Sequence, residues 1–130
     1  MSDYAVDTMA FVLWLEKRKL PRKVKSIFDS TESLQGRIYI PALVFAEIAY
    51  LAEKNRIDLT LEECKAYISK NERFRTAPMT LESITTAFNI HDISELHDRL
   101  IAAEGVIRNI PTITNDPVIS ASKFTRTLWR

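Results

Sequence analysis

Leu96-His97-Asp98-Arg99-Leu100-Ile101-Ala102-Ala103, followed by Pro111-Thr112-Ile113-Thr114-Asn115-Asp116, is the stretch that decides the fold class. Leu96, Leu100, Ala103 and Ile107 recur at helical spacing, which marks a helix laid on a core. Asp98 falls in its first turn, where the helix dipole favours negative charge. Gly105 weakens the back half of the pattern and Pro111 ends it. The next residues are β-rich, and Asn115-Asp116-Pro117 is a turn signal placed just past a strand. In α/β folds, sites form in loops beyond the carboxyl ends of strands. Asp98 and Asp116 are therefore candidates for one site.

Outward from this stretch, the chain repeats the theme. Tyr4-Ala5-Val6 reads as a strand ending at Asp7, and Thr8 to Leu15 as a buried helix. Asp7 is well placed to cap that helix. Arg37 to Ile40 is a second strand, Pro41 suits a first helical turn, and Ala42 to Leu51 is apolar nearly all round. Glu47 is the one acid inside it, sharing a face with Leu43, Val44, Tyr50 and Leu51. A bare carboxylate there is costly unless paired or metal-bound. Thr60-Leu61-Glu62-Glu63 is a capping box opening a helix to about Lys70. Arg73 to Thr76 is a third strand, Thr80 caps a helix through Phe88, and the tail offers a short helix and a closing strand over Thr125–Trp129. The order β-α-α-β-α-α-β-α-α-β-α-β predicts an α/β fold, a mostly parallel sheet with helices on both faces.

Composition removes several classes. The 130 residues suffice for one domain with a real core. Two glycines leave no glycine-rich phosphate loop. The run Met9–Leu15 is too short to span a bilayer, and no basic segment precedes it as a signal would require. One cysteine, Cys64, fits a reducing, cytoplasmic compartment. His91 and His97 lack zinc-ligand spacing; His97 beside Asp98 is open to a capping, surface or assisting role. The net charge of +1 conceals a dense basic segment around Pro21: Lys17, Arg18, Lys19, Arg22, Lys23 and Lys25. Such a run is a solvated face or a hold on phosphates.

Four acids thus stand at strand ends or on helices facing them: Asp7, Glu47, Asp98 and Asp116. Clustered carboxylates raise one another's pKa unless cations bind between them. Oxygen-only ligands select magnesium or manganese over zinc, and the usual chemistry of such a patch is metal-assisted phosphodiester hydrolysis. A phosphatase built on an aspartate nucleophile would want an acid at Met9, and a receiver domain would want adjacent acids near the first strand.

The pattern Val6-Asp7-Thr8, Ile40-Pro41-Ala42 through Glu47, Asp98-Arg99-Leu100-Ile101-Ala102-Ala103 and Thr114-Asn115-Asp116 resembles the PIN-domain nucleases, and among them the VapC-type ribonuclease toxins of toxin–antitoxin pairs. The resemblance covers nearly the whole chain and implies a single PIN domain over 1–130, with a parallel sheet of four or five strands. It implies a Mg²⁺- or Mn²⁺-dependent endoribonuclease with Asp7, Glu47, Asp98 and Asp116 as ligands and catalytic residues, supported by Thr8, Thr114 and Asn115. It further implies an RNA substrate, a small antitoxin that presents a basic side chain to the acids, and a homodimer. Lys17, Lys19, Lys23 and Arg99 are the candidates for holding RNA. Phe11, Trp14, Leu15, Phe45 and Tyr50 exceed what a small sheet need bury, so some of them should line a docking groove. Glu104 and His97 depart from the family pattern; Glu104 either adds charge near Asp98 or faces solvent. The rival readings are a non-toxin PIN nuclease and a PIN module that binds RNA or a partner without cutting.

Overall fold

Five strands form one sheet in the order β3-β2-β1-β4-β5, every neighbouring pair parallel. The computed structural model describes residues 2–130. The strands are β1 (Asp3–Val6), β2 (Arg37–Pro41), β3 (Phe74–Ala77), β4 (Thr112–Ile113) and β5 (Thr127–Leu128). Parallel neighbours cannot be joined by hairpins, so each connection carries helices. These are α1 (Thr8–Leu15) and α2 (Arg22–Glu32), α3 (Ala42–Glu53) and α4 (Leu61–Lys70), α5 (Leu81–Phe88) and α6 (Leu96–Arg108), and α7 (Pro117–Ala121). This is the expected element order. Among the described residues no helix is long and apolar enough to cross a membrane.

The chain builds outward from β1 through β2 to β3, then returns to the other side of β1 to lay down β4. Strand order therefore reverses between β1 and β4, and such a switch point opens a crevice at the carboxyl ends of the two strands. Val6 pairs with Ile113 in register, so the residues that follow both strands emerge side by side.

One apolar cluster joins β1, β2 and β4 to α1–α4 through Val6, Phe11, Phe28, Ile38, Ile40, Val44, Ile48, Cys64 and Ile113. A smaller cluster joins α5, α6 and α7 through Ala87, Ile90, Ile93, Ala102, Ala103 and Ile119. Phe11 is fully buried, Trp14, Leu15 and Phe45 pack on the first cluster, and Tyr50 is the exposed one of the five large residues at issue.

Several local expectations are corrected. Helix α2 runs on through Ser30, Thr31 and Glu32, and Pro41 ends β2 and caps α3 instead of opening its first turn. In α6 the buried residues are the consecutive run Ile101–Gly105, while Leu96 is exposed. A helix wedged between a sheet and other helices buries more than one stripe. Glu104 is buried, with Arg108 at 2.8 Å, and the Arg108 guanidinium lies over the Tyr39 ring. It faces neither Asp98 nor solvent.

Candidate metal centre

Asp7 follows β1 and caps α1, its Oδ1 accepting the Ala10 N–H at 2.9 Å. Its Oδ2 accepts from the Thr114 hydroxyl, which stands one residue past β4. That same hydroxyl oxygen accepts the Asp116 N–H at 3.0 Å. One threonine thus ties together the two chain segments that leave the switch point. Asp116 caps α7, its Oδ1 accepting the N–H groups of Val118 at 2.8 Å and Ile119 at 3.0 Å. Its second oxygen makes neither bond.

Glu47 reaches the crevice from the middle of α3. Its Oε1 accepts from Thr8, in the first turn of α1, and its Oε2 lies 3.2 Å from Nδ1 of His97, in the first turn of α6. Asp98 follows His97, and its N–H is capped by the Glu95 carboxylate at 2.9 Å. Four elements therefore deliver the four acids to one edge of the sheet.

Electrostatics shows that the acids feel one another. Burial pushes the Asp98 carboxyl from an ordinary 3.8 up to about 6, helped by the charges of Asp116, Glu95, Glu47 and Asp7. Burial raises Asp7 as well, opposed by its bonds to Thr114 and Ala10 and reinforced by Asp116 and Glu47. Among the described residues no lysine or arginine pairs with any of the four; Glu47 has only His97. Nor do three such side chains already stand at the spacing of ligands around one ion. The acids meet at the range of charge repulsion, wider than that of a shared ligand. The donor chemistry suits a hard divalent cation: oxygen-only, negatively charged and unneutralised. Side chains would draw together on such an ion.

Asn115 is exposed beside Asp116. The cations lie elsewhere. Lys17, in the left-handed region at φ 57°, and Lys19 follow the far end of α1, about 12 Å from its Asp7 end by helix rise. Lys23 is exposed in the first turn of α2. Arg99 donates to the carbonyls of Ile93 and Ser94 and lies over the Phe88 ring. Sequence reasoning overlooked Glu95 as a charge beside Asp98 and left the role of His97 open. Glu95 was findable, as an acid three residues before Asp98 at the helix start; the His97–Glu47 contact spans 50 positions and had no local signal.

Beside Glu47, α1 and α3 border a largely apolar groove of about 620 Å³ lined by Met9, Leu43, Ala46, Tyr50 and Leu51, with Thr8, Glu47 and His97 at its polar end.

The family model described as PIN domain matches residues 4–124. Among solved structures the chain is similar to VapBC2 from Rickettsia felis bound to a DNA fragment from its promoter, with a TM-score of 0.74 and 16% identity over 98% of this chain and 99% of that one. It is similar to DNA-bound VapBC from Salmonella typhimurium, at a TM-score of 0.72 and 18% identity over 98% of each chain. A toxin–antitoxin complex from Klebsiella pneumoniae matches at a TM-score of 0.65 and 11% identity over 96% and 95%. At these identities the likeness is one of fold. No curated protein matches the sequence.

Proposed function

The chain belongs to the PIN-domain family, and from that premise we propose that it is a single-domain, divalent-metal-dependent endoribonuclease serving as the toxin of a toxin–antitoxin pair. The observation that carries the reading is the meeting of Asp7, Glu47, Asp98 and Asp116 at one switch point with no lysine or arginine to neutralise them. These four residues would hold magnesium or manganese, which supplies activation of water and screening of charge on the phosphodiester oxygens. Thr114 keeps Asp7 and the Asp116 backbone in register, and Thr8 orients Glu47.

An acidic cleft repels RNA, so affinity must come from cations elsewhere. Residues 17–25 carry six cations and no acid, which leaves the remainder of the chain at a net charge of −5. Lys17, Lys19 and Lys23 are exposed, and Arg22 and Lys23 open α2 where the helix dipole disfavours cations, without a side-chain cap. A locally costly placement of this kind supports a role in holding phosphates. The toxin reading is supported by the neighbours, which are VapBC and toxin–antitoxin complexes. It is supported too by the apolar groove beside the acids, a fitting seat for an antitoxin helix that brings a basic side chain to the carboxylates.

Cleavage of labelled single-stranded RNA tests the activity. Wild type should cut with magnesium or manganese and stop in chelator. Asp98→Asn and Asp116→Asn should each lower the rate at least a hundredfold with unchanged circular dichroism. Full activity in Asp98→Asn would end the site assignment, and RNA binding without cleavage by the metal-loaded wild type would favour the non-cutting module.

A further inference from the structure

His97 is half-exposed, and its ring is turned to an acid 50 positions away on another helix. The Glu95 cap on the Asp98 N–H fixes the first turn of α6. Neighbouring helical positions diverge by about 100°, so His97 reaches Glu47 while Asp98 joins the other acids. Thr8 already occupies one Glu47 oxygen, and His97 occupies the other. A glutamate side chain has three soft torsions to settle, and Glu47 is held at both ends of its carboxylate by residues from two other helices.

We propose that His97 is the positioning residue of Glu47, holding the carboxylate toward the acid cluster with its Nδ1–H. An imidazole suits this task where lysine or arginine would not. A protonated Nδ1 donates one hydrogen bond and needs no charge to do so. A guanidinium or ammonium would neutralise the carboxylate and stand where a divalent ion must. The consequence for metal binding rests on the proposed nuclease reading; the His97–Glu47 contact itself does not. Hydrogen bonds to ligating carboxylates commonly govern metal affinity, because they set the orientation the ion meets.

Manganese binding measured by calorimetry tests the proposal with a readout independent of turnover. His97→Ala should weaken binding by about tenfold while leaving the melting temperature of the metal-free protein unchanged. His97→Asn places an amide nitrogen where Nδ1 was and should recover affinity to within about threefold of wild type. His97→Gln reaches instead to the position of Nε2 and should not. In RNA cleavage the Ala variant should lose kcat at constant KM. Wild-type affinity in His97→Ala overturns the proposal, as does recovery by Gln equal to that by Asn. So does a loss of folding stability in the Ala variant that Asn leaves unrepaired. If the wild type bound no manganese, the metal reading would fall alone, and ¹⁵N NMR of the metal-free protein would decide this one. An Nδ1-protonated His97 in wild type that is lost in Glu47→Ala supports the proposal; an Nε2-protonated ring in both overturns it.

Discussion

Asp98 carries a stability cost that pH exposes. Its carboxyl is raised to about 6 in the folded chain against an ordinary 3.8, first by burial and then by neighbouring acids. Between those values the folded state binds more protons than the unfolded one, so the stability of the metal-free protein falls as pH climbs from about 4 through about 6. Above that window the whole cost is present; below it none is. Asp98→Asn should therefore stabilise the metal-free protein at pH 7.5 by about 1 kcal/mol, discounted for a partly solvated group. The gain should vanish near pH 3.5. Denaturant titrations at the two pH values measure it, and equal stability of variant and wild type at both would mean that neither burial nor the neighbouring acids penalise the Asp98 charge. Glu104, a buried acid of the same helix, is instead paired with Arg108 at 2.8 Å and belongs to the packing of α6.

At the scale of elements, α6 depends on the residue that looked like its weakness. A Cβ on Gly105 would lie 2.5 Å from the Thr112 hydroxyl and 3.0 Å from the Ile110 carbonyl. The glycine lets α6 press against the start of β4, and β4 sets the position of Thr114 and Asp116. Gly105→Ala gains about 1 kcal/mol of helix propensity, yet the overlap should cost about 1–3 kcal/mol and outweigh it. Urea unfolding should show a net loss of stability, and a stabilised variant would mean that the contact yields. Helix α5 presents the reverse case, with too much apolar surface instead of too little room. Leu81, Ile84 and Phe88 follow helical spacing yet are exposed.

For the whole molecule, that exposed face and the charge polarity lead to two measurements. The homodimer that the resemblance implies would cover the α5 face, whose large side chains are uncharged and suit a self-complementary contact. Light scattering should find a dimer in wild type and a monomer in Phe88→Glu, with the fold retained; a wild-type monomer would remove the homodimer. The polarity predicts where RNA affinity comes from. Replacing Lys17, Lys19 and Lys23 by Ala together should flatten the log–log salt dependence of RNA binding by roughly 0.7 per lost contact. Chelator prevents cleavage during that titration, and an unchanged slope would return the run to solvent.

Element order and type were determined by the sequence alone, because their signals are local. Apolar period, the capping boxes at Thr60 and Thr80, and turn residues at strand ends each act within a few positions. The four acids could be picked out as candidates for the same reason: Asp7 and Asp116 follow strands, Glu47 is the one acid of an apolar helix, and Asp98 stands in a first helical turn. Tertiary structure alone decided what those acids touch beyond their own helix caps. Thr114 bonds Asp7 across 107 positions, and His97 meets Glu47 across 50. It also decided that Glu104 is buried, that Leu96 is exposed, and that Gly105 is a point of close approach. Period and propensity describe a helix against an unspecified core. Which of its faces meets a strand, a neighbouring helix or water depends on packing partners supplied by distant parts of the chain.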